Sequence, residues 1–296
     1  MTEYAYYPGC SGRATARGYD ESLLAVAPRL GMTLTEIPDW NCCGSGLALS
    51  VNQVLSLALS ARNLALAEKI APTVVTPCPS CCLTLNKANH VLQDGGAAAA
   101  PVQSCLEAGD LKYGGGVRVR HLLDVIVNDV GVERLAQAVT APLTGKRVAP
   151  YYGCQVVRPV AEGDDAEYPH NLEQVIAAVG GEVADFPLKT SCCGGALVAT
   201  RPELGREMCL DLLRSIGAAR ADIVVTPCPL CQVTLEMAQH QNRGILQGGA
   251  LAPVLYLTQL IGVALGLSER ELGLQRALMP KTCRRALART EQQPAL

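Results

Sequence analysis

Cysteines in two matching sets are the residues of this sequence that could do chemistry. In each set a single cysteine comes first, a Cys-Cys-Gly triplet follows, and a Cys-Pro-x-Cys segment comes last. Cysteine thiolates bind metals, carry redox chemistry or pair as disulfides, so the pattern poses a choice among these three. The first set is Cys10, Cys42, Cys43, Cys78 and Cys81, and the second is Cys154, Cys192, Cys193, Cys228 and Cys231.

The sequence context favours reduced thiolates over disulfides. The chain has 14 cysteines, and its first residues lack the basic segment and apolar run of a secretory signal. Disulfides persist mainly in secreted proteins, and the vicinal pair Cys42-Cys43 is poorly placed for disulfide geometry. We therefore expect a cytoplasmic protein whose cysteines bind a metal or a redox group.

The number of cysteines in each set indicates what they bind. A structural zinc site takes four ligands, and a fifth thiolate has no place in it. A cubane iron-sulfur cluster also takes four, usually with three in one tight run. Five thiolates from three separate turns favour a larger or irregular iron-sulfur cluster, with structural zinc as the alternative. Four other cysteines lack counterparts between the sets and are expected to be packing or surface residues: Cys82, Cys105, Cys209 and Cys283.

An internal duplication positions the two sets. The segment Thr76-Pro77-Cys78-Pro79 recurs as Thr226-Pro227-Cys228-Pro229, and Val74-Val75 before it recurs as Val224-Val225. Two copies of one unit explain this repetition, and about 145 residues is an ordinary domain size. We predict two domains, residues 1–145 and 146–296, each with its own cysteine set.

The hydrophobic pattern in each half alternates between strands and helices. β-branched runs at residues 73–76 and 223–226 predict buried strands, and helical spacing follows each Cys-Pro-x-Cys segment. We predict two pseudo-symmetric, Rossmann-like α/β domains with mainly parallel sheets and every motif cysteine at the carboxyl edge. Residues 93–117 are expected to be a connecting loop and residues 120–129 a helix.

Composition excludes some partners. A net charge of −2 without a basic stripe, and a single Trp and a single Phe, argue against nucleic-acid binding. The uncharged segment 250–267 is at the short end of what crosses a bilayer. Its equivalent in the first half, residues 117–131, contains charged residues, so we expect buried core or a partner-docking face, and membrane contact that is at most indirect.

The cysteine order resembles the duplicated cysteine-rich (CCG) domain of the HdrB-like family, the B subunits of heterodisulfide reductases. Residues 253–260 also look like the closing helix of that family, so the resemblance runs from about residue 4 to residue 266. It implies that each half binds one noncubane [4Fe-4S] cluster through the five cysteines of its set, and that the two clusters face one cavity.

The resemblance also implies a function. Members of this family cleave a disulfide between two small thiols, and relatives in sulfur oxidation run thiol chemistry in the other direction. The cofactor carries this chemistry, so no catalytic side chain is expected beyond the cluster ligands. The implied partners are a ferredoxin-like HdrC-type subunit and a flavoprotein HdrA-type subunit. Two alternatives stay open: an electron-transfer or anchor subunit of a type-E succinate dehydrogenase or related enzyme, and a zinc-stabilised interaction module.

Histidines and arginines near the motifs are weaker candidates. His90 recurs as His240 and could face a cavity, although a structural role is the favoured interpretation. Arg13, Arg17 and Arg158 follow the first cysteine of each set and could face an anionic substrate. A solvated helix face is the favoured interpretation for all three.

Overall fold

The computed structural model describes residues 2–159, 164–246 and 248–288. Within these residues there are two four-stranded sheets, in the orders β2-β1-β3-β4 and β6-β5-β7-β8, and every pairing is parallel. The eight strands are β1 Thr2–Tyr6, β2 Met32–Glu36, β3 Thr73–Thr76, β4 Arg118–His121, β5 Arg147–Pro150, β6 Glu182–Val183, β7 Ile223–Thr226 and β8 Val254–Tyr256.

Helices connect the strands of both halves. The first half contains α1 Gly9–Gly12, α2 Arg17–Arg29, α3 Leu47–Val51, α4 Gln53–Ala67, α5 Pro79–Asp94, α6 Ala100–Ala108, α7 Leu122–Val125 and α8 Val132–Ala138. The second half contains α9 Asn171–Ala178, α10 Pro202–Ala218, α11 Pro229–Gln241, α12 Leu257–Ala264 and α13 Pro280–Leu287.

The predicted fold class is confirmed. The central strands β3 and β7 are runs of valine, isoleucine and threonine that are covered on both faces, as strands of a parallel sheet are. Because all strands of a sheet point the same way, the turns after them meet at one edge. The motif cysteines lie in those turns.

The two halves share one hydrophobic cluster, and each half also has a smaller cluster of its own. Helix α2 of the first half packs on helix α12 of the second, and their surroundings form a single buried cluster with residues of both sheets. The ring of Tyr19 stacks on that of Tyr256, with centroids 4.5 Å apart and an interplanar angle of 10°. A domain boundary at residue 145 therefore stays a prediction, because the packing is continuous across it.

Local structure differs from the prediction around the fourth strand of each sheet. Residues 118–121 form β4, and the helical segment after them contains a π-helical stretch, Ile126–Gly131, before α8. Residues 254–256 similarly form β8 within the segment expected to be helical. The predicted connecting loop 93–117 contains α6. Both strands are short, β4 is partly polar, and neither sequence contains the β-branched runs of the central strands.

The uncharged segment 250–267 lies mainly in the interior. Strand β8 and most of helix α12 are buried in the shared core, as the comparison with the charged first-half equivalent predicted. Among the residues that the structure describes, no helix combines the length and the apolar character needed to cross a membrane.

Candidate metal centres

The structure brings the five cysteines of each set together at the carboxyl edge of their sheet. Cys10 lies in α1, directly after β1, and Cys42 and Cys43 follow β2. Cys78 is the N-cap residue of α5, and Cys81 lies in its first turn. Proline at the first position of α5 is favourable because that N–H has no partner within the helix, and α11 begins the same way with Cys228 and Pro229.

The sulfurs of the first set form a chain of neighbours, which we name the first thiol row. The Sγ atoms of Cys10 and Cys42 are 4.0 Å apart, and those of Cys43 and Cys81 are 3.5 Å apart. Cys42 also interacts with Cys43, and Cys81 with Cys78. The order along the row is therefore Cys10, Cys42, Cys43, Cys81, Cys78.

The second set repeats this order, and we name it the second thiol row. Cys154 interacts with Cys192, Cys192 with Cys193, Cys193 with Cys231, and Cys231 with Cys228. Two separate stretches of chain thus produce the same arrangement of five thiols. That each row binds a cluster stays a prediction.

Neighbouring thiols in each row are linked by hydrogen bonds that shift their pKa values. The hydrogen bond between Cys43 and Cys81 lowers the pKa of the Cys43 thiol to about 6 and raises that of Cys81. In the second row the hydrogen bond between Cys154 and Cys192 lowers the pKa of Cys192 and raises that of Cys154. These bonds therefore shift the pKa values of neighbouring thiols in opposite directions, and a bound cationic centre would favour the thiolate form throughout.

Hydrogen bonds that recur in both halves position the rows. The hydroxyl of Tyr7 donates to the carbonyl oxygen of Asn41 at 2.7 Å, and that of Tyr151 donates to the carbonyl oxygen of Ser191 at 2.8 Å. These carbonyls immediately precede the Cys-Cys-Gly triplets, so each buried tyrosine ties the first turn to the second. The backbone N–H of each N-cap cysteine also donates to the threonine hydroxyl two residues earlier, at 3.4 Å.

Glycine lets the first turn of each half approach a sulfur. A Cβ atom on Gly9 would lie 3.1 Å from the Sγ of Cys81, and one on Gly153 would lie 3.0 Å from the Sγ of Cys231. Both glycines have φ of +70°. Glycine precedes the first cysteine of both sets in the sequence. This repeated glycine could have revealed that the turn passes close to a sulfur, but the predicted site does not include it.

The glycines of the Cys-Cys-Gly triplets have a packing role instead. Their position beside the cysteines suggests that they let the backbone approach inorganic sulfide. In the structure a Cβ atom on Gly194 would lie 2.5 Å from the carbonyl oxygen of Gly205, so the constraint comes from helix α10. A Cβ atom on Gly44 would meet Ala48 and Leu59 at 3.2 Å.

The rows fit an iron-sulfur cluster in donor chemistry. Each row offers thiols alone, which are the usual ligands of such clusters, and glycine keeps the neighbouring backbone close to the sulfurs. In residues 2–159, 164–246 and 248–288, no group of three or more His, Cys, Asp or Glu side chains is arranged to hold a single metal ion. Five thiols in each row exceed the four ligands of a structural zinc site, which favours an iron-sulfur cluster. Metal analysis would distinguish zinc from iron directly.

A cavity of about 540 Å³ lies between the two halves, and we name it the central cavity. Helices α4 and α5 line one side, and residues 155–157 with Asn171 line the other. Of the described residues that line it, none is a motif cysteine, but Pro79 lies between Cys78 and Cys81, and Gln155 follows Cys154. The cavity lining therefore includes a direct chain neighbour of one cysteine from each thiol row.

Comparison with known proteins decides the family. Residues 4–86 and residues 148–236 each match the sequence profile of the cysteine-rich domain CCG. The chain belongs to the CCG cysteine-rich domain family. It contains two CCG repeats, and each includes one complete thiol row, so the duplication and the family resemblance inferred from the sequence are both confirmed.

Its relatives fall into two groups. The chain is 36% identical to the 8-methylmenaquinol:fumarate reductase membrane anchor subunit of Wolinella succinogenes, over 95% of this chain and 98% of that protein. It is 29% identical to the B subunit of the ferredoxin/F(420)H(2)-dependent CoB-CoM heterodisulfide reductase of Methanosarcina acetivorans, over 93% of each. A protein of Archaeoglobus profundus that is described as similar to the B subunit of heterodisulfide reductase is 31% identical, over 90% of this chain and 91% of that protein.

One solved structure supports the fold. The crystal structure of a hypothetical protein from Helicobacter pylori superposes with a TM-score of 0.73 at 17% identity. The alignment covers 93% of this chain and 51% of that one, so the chain spans about half of its length. At this identity the likeness concerns the fold alone.

Two buried residues join the CCG repeats near the Cys-Pro-x-Cys turns, and sequence reasoning missed both. The Nε2 atom of His121 hydrogen-bonds to the carbonyl oxygen of Pro77 at 3.2 Å and also interacts with the backbone of Pro227 in the second repeat, while its Nδ1 accepts from the backbone N–H of Leu123. The hydroxyl of Tyr19, from the first repeat, donates to Pro227 of the second at 3.4 Å. Ser80 also hydrogen-bonds to Gln155, so the two CCG repeats contact each other beside both thiol rows.

The histidines, arginines and unmatched cysteines that the sequence analysis considered have different surroundings in the structure. His90 lines the central cavity and its counterpart His240 does not, and both histidines are exposed. Arg13 pairs with Asp20 at 2.9 Å, Arg17 with Glu21 at 3.4 Å and Arg158 with Glu167 at 2.8 Å. Of the cysteines without counterparts, Cys105 is exposed and the others are buried.

Proposed function

We propose that this chain is the catalytic iron-sulfur subunit of a heterodisulfide-reductase-like complex. In this proposal each thiol row binds one noncubane [4Fe-4S] cluster, and the complex reduces or forms the disulfide bond of a small thiol or sulfur carrier. The observation that carries the proposal is the identical neighbour order of five thiols in both CCG repeats. The relatives named after the B subunit of heterodisulfide reductase support the assignment to a subunit of this oxidoreductase type.

The reaction requires two electrons and two protons to convert one disulfide into two thiols. An iron-sulfur cluster supplies electron transfer and affinity for sulfur when it is bound. The chain's own part is to hold two clusters through five cysteines each, to fix the turns through Tyr7 and Tyr151, and to admit the substrate through the central cavity. Pro79 and Gln155, which line the cavity, are chain neighbours of Cys78 and Cys154 and support this route.

Electrons have to enter from another protein. The sequence lacks the closely spaced cysteine run of a ferredoxin, so we propose a ferredoxin-like HdrC-type partner and a flavoprotein HdrA-type partner, as the family resemblance implies. We place the complex in the cytoplasm, with any membrane contact made through its partners. A role in bacterial sulfur oxidation would run the same reaction toward the disulfide.

Metal analysis of protein purified without oxygen tests the proposal. Two four-iron clusters predict about eight irons and as many acid-labile sulfides per chain. Zinc without sulfide would instead support a zinc-stabilised interaction module and would reject the enzyme assignment. Four irons would mean that one CCG repeat has kept its ligands without a cluster.

The second candidate function is an electron-transfer or anchor subunit of a quinol-linked dehydrogenase. The 36% identity to the fumarate reductase anchor subunit of W. succinogenes favours it. The two candidates differ in what reaches the clusters. A small thiol should perturb the paramagnetic spectrum of the isolated protein if the chain is the catalytic subunit, whereas an electron relay should respond to a naphthoquinone analogue and not to thiols.

A further inference from the structure

The charged residues of the central cavity are mainly carboxylates. Of the described residues that line it, Asp94, Asp124 and Asp164 are acidic, and Lys87 is the one basic residue other than two histidines. Asp124 is neutralised by Arg120, whose Nε lies 2.5 Å from its carboxylate. The remaining charges are Lys87, Asp94 and Asp164, whose carboxylate also accepts from the backbone N–H groups of residues 170 and 171. The formal charge of the lining is therefore net negative, which disfavours an anion.

The arginines that follow the first cysteine of each set do not offset the negative charge of the cavity. Arg13, Arg17 and Arg158 were the candidates for binding an anionic substrate, and each is paired with a carboxylate, although Arg17 shares Glu21 with Arg276. Binding of a sulfonate, phosphate or carboxylate group typically relies on a free arginine fork or a lysine cluster. The described lining offers neither.

Other lining residues suit an uncharged ligand. Leu57, Val91 and Val157 supply apolar surface, while Gln53, Gln155 and Asn171 supply amide groups that recognise hydroxyl or amide functions. His121 is buried and engaged on both ring nitrogens, so it adds no exposed cation. The composition of the cavity therefore selects against negative charge on the ligand.

We propose that the thiol or disulfide taken up in the central cavity is uncharged or cationic beyond its sulfur atoms, and that anionic thiols are discriminated against. This inference rests on the proposed function. It assigns the substrate class from the cavity's own charges: a neutral or amine-bearing thiol rather than a sulfonated, phosphorylated or polycarboxylated one.

A matched pair of thiols tests this on the full chain with its clusters, purified without oxygen. The probes are 2-mercaptoethanol, which is uncharged, and 2-mercaptoethanesulfonate, which has one sulfonate on a carbon chain of equal length. The readout is the thiol concentration that half-converts the paramagnetic spectrum of the clusters. We expect the uncharged thiol to act at about tenfold lower concentration, a factor that one screened charge repulsion can supply, and the difference to shrink as salt is added.

Reversing the charge of Asp94, an exposed residue of the cavity lining, sharpens the test. Asp94 is the exposed last residue of α5, where a cation suits the helix dipole, so Asp94→Lys should fold normally. It should lower the concentration required of the sulfonate thiol severalfold more than that of 2-mercaptoethanol, so the ratio of the two concentrations should fall. Asp211→Lys is the control, because Asp211 is an exposed residue of α10 outside the described cavity lining.

The outcomes separate this inference from the proposed function. A sulfonate thiol that acts at equal or lower concentration, or equal effects of Asp94→Lys and Asp211→Lys, would overturn the charge selection and leave the disulfide chemistry standing. If neither thiol changes the spectrum of protein that contains iron and sulfide, the proposed disulfide chemistry itself is rejected.

Discussion

The two thiol rows have the same ligand order but different surroundings. In the first row Cys10 and Cys42 are exposed and Cys78 is partly buried. In the second row the equivalents Cys154 and Cys192 are partly buried, and Cys228 is buried. Duplication has therefore kept the positions of the sulfurs while their access to solvent has diverged.

The difference arises in the segments that follow the Cys-Cys-Gly triplets. After Gly44 the chain forms α3 and α4, and serines of α4 hydrogen-bond to the carbonyl oxygens of Cys43 and Gly44. After Gly194 it forms a short 3-10 helix, Gly195–Leu197, and α10 packs against the backbone of Gly194. Solvent exposure and hydrogen bonding tune iron-sulfur reduction potentials. We therefore expect two clusters of the same type with different potentials and stabilities.

Removing one inner ligand from each row has the largest expected effect. Cys43→Ser and Cys193→Ser should each remove about four irons with their sulfides, because each cluster depends on its own row. Metal analysis measures this, and thiol-disulfide turnover by the assembled complex should be abolished in both variants. Cys105→Ser, at an exposed cysteine without a counterpart, is the control and should keep full iron. Retained turnover in Cys193→Ser would contradict the catalytic assignment.

These two variants also allow the rows to be compared one at a time. Cys193→Ser should retain the first cluster alone, and Cys43→Ser the second alone. The first should lose iron to a chelator several-fold faster, because two of its cysteines are exposed. Loss of the visible absorbance with time measures the rate. Equal rates would show that solvent access at these cysteines does not control cluster release.

Glycine at the first turn provides a smaller and more local perturbation. Gly153→Ala forces a residue with a side chain into positive φ, which costs about 1–2 kcal/mol, and places Cβ 3.0 Å from the Sγ of Cys231. Gly145→Ala has the same backbone penalty at φ of +72°, with nothing within 4 Å of its Cβ. Both variants should lose similar unfolding free energy, but iron content should fall only in Gly153→Ala. A similar loss of iron in Gly145→Ala would mean that the sulfur contact is irrelevant.

The smallest expected effect concerns the ends of the fourth strands, where His121 and Tyr256 occupy equivalent positions. Burial lowers the pKa of His121 from 6.5 to about 4. Between these values the unfolded chain binds a proton that the folded protein does not, so this contribution to stability is present above pH 6.5 and is lost as pH falls. The free energy of unfolding should decrease by at most about 1.4 kcal/mol per pH unit through this group.

Substitution isolates that contribution. His121→Gln keeps a hydrogen-bond donor and removes the titration, so denaturant unfolding should show a shallower dependence on pH below 6.5 than the wild type. Tyr256→Phe removes the hydrogen bond from Tyr256 to Gln232 in the second repeat and should leave the slope unchanged. An unchanged slope in His121→Gln would place the proton uptake elsewhere.

Much of the fold and the grouping of the cysteines could be predicted from the sequence. The runs Thr73–Thr76 and Ile223–Thr226 are buried parallel strands as predicted, because a strand covered on both faces needs continuous β-branched residues. Strands β4 and β8 were not predicted. The first, Arg118–His121, alternates charged residues with valine, and its strand conformation depends on pairing with β3. Pairing is a tertiary contact, and a four-residue sequence does not reveal it.

The sequence by itself determined the two sets of five cysteines, their spacing and the duplication, since these follow from residue order alone. The tertiary structure decided which sulfurs are neighbours, which row faces solvent, and which side chains join the halves. Tyr19 and Pro227 are distant in the chain and meet only because α2 packs on α12. The central cavity and its acidic lining likewise exist only where two folded repeats come together, because neither half contains that surface alone.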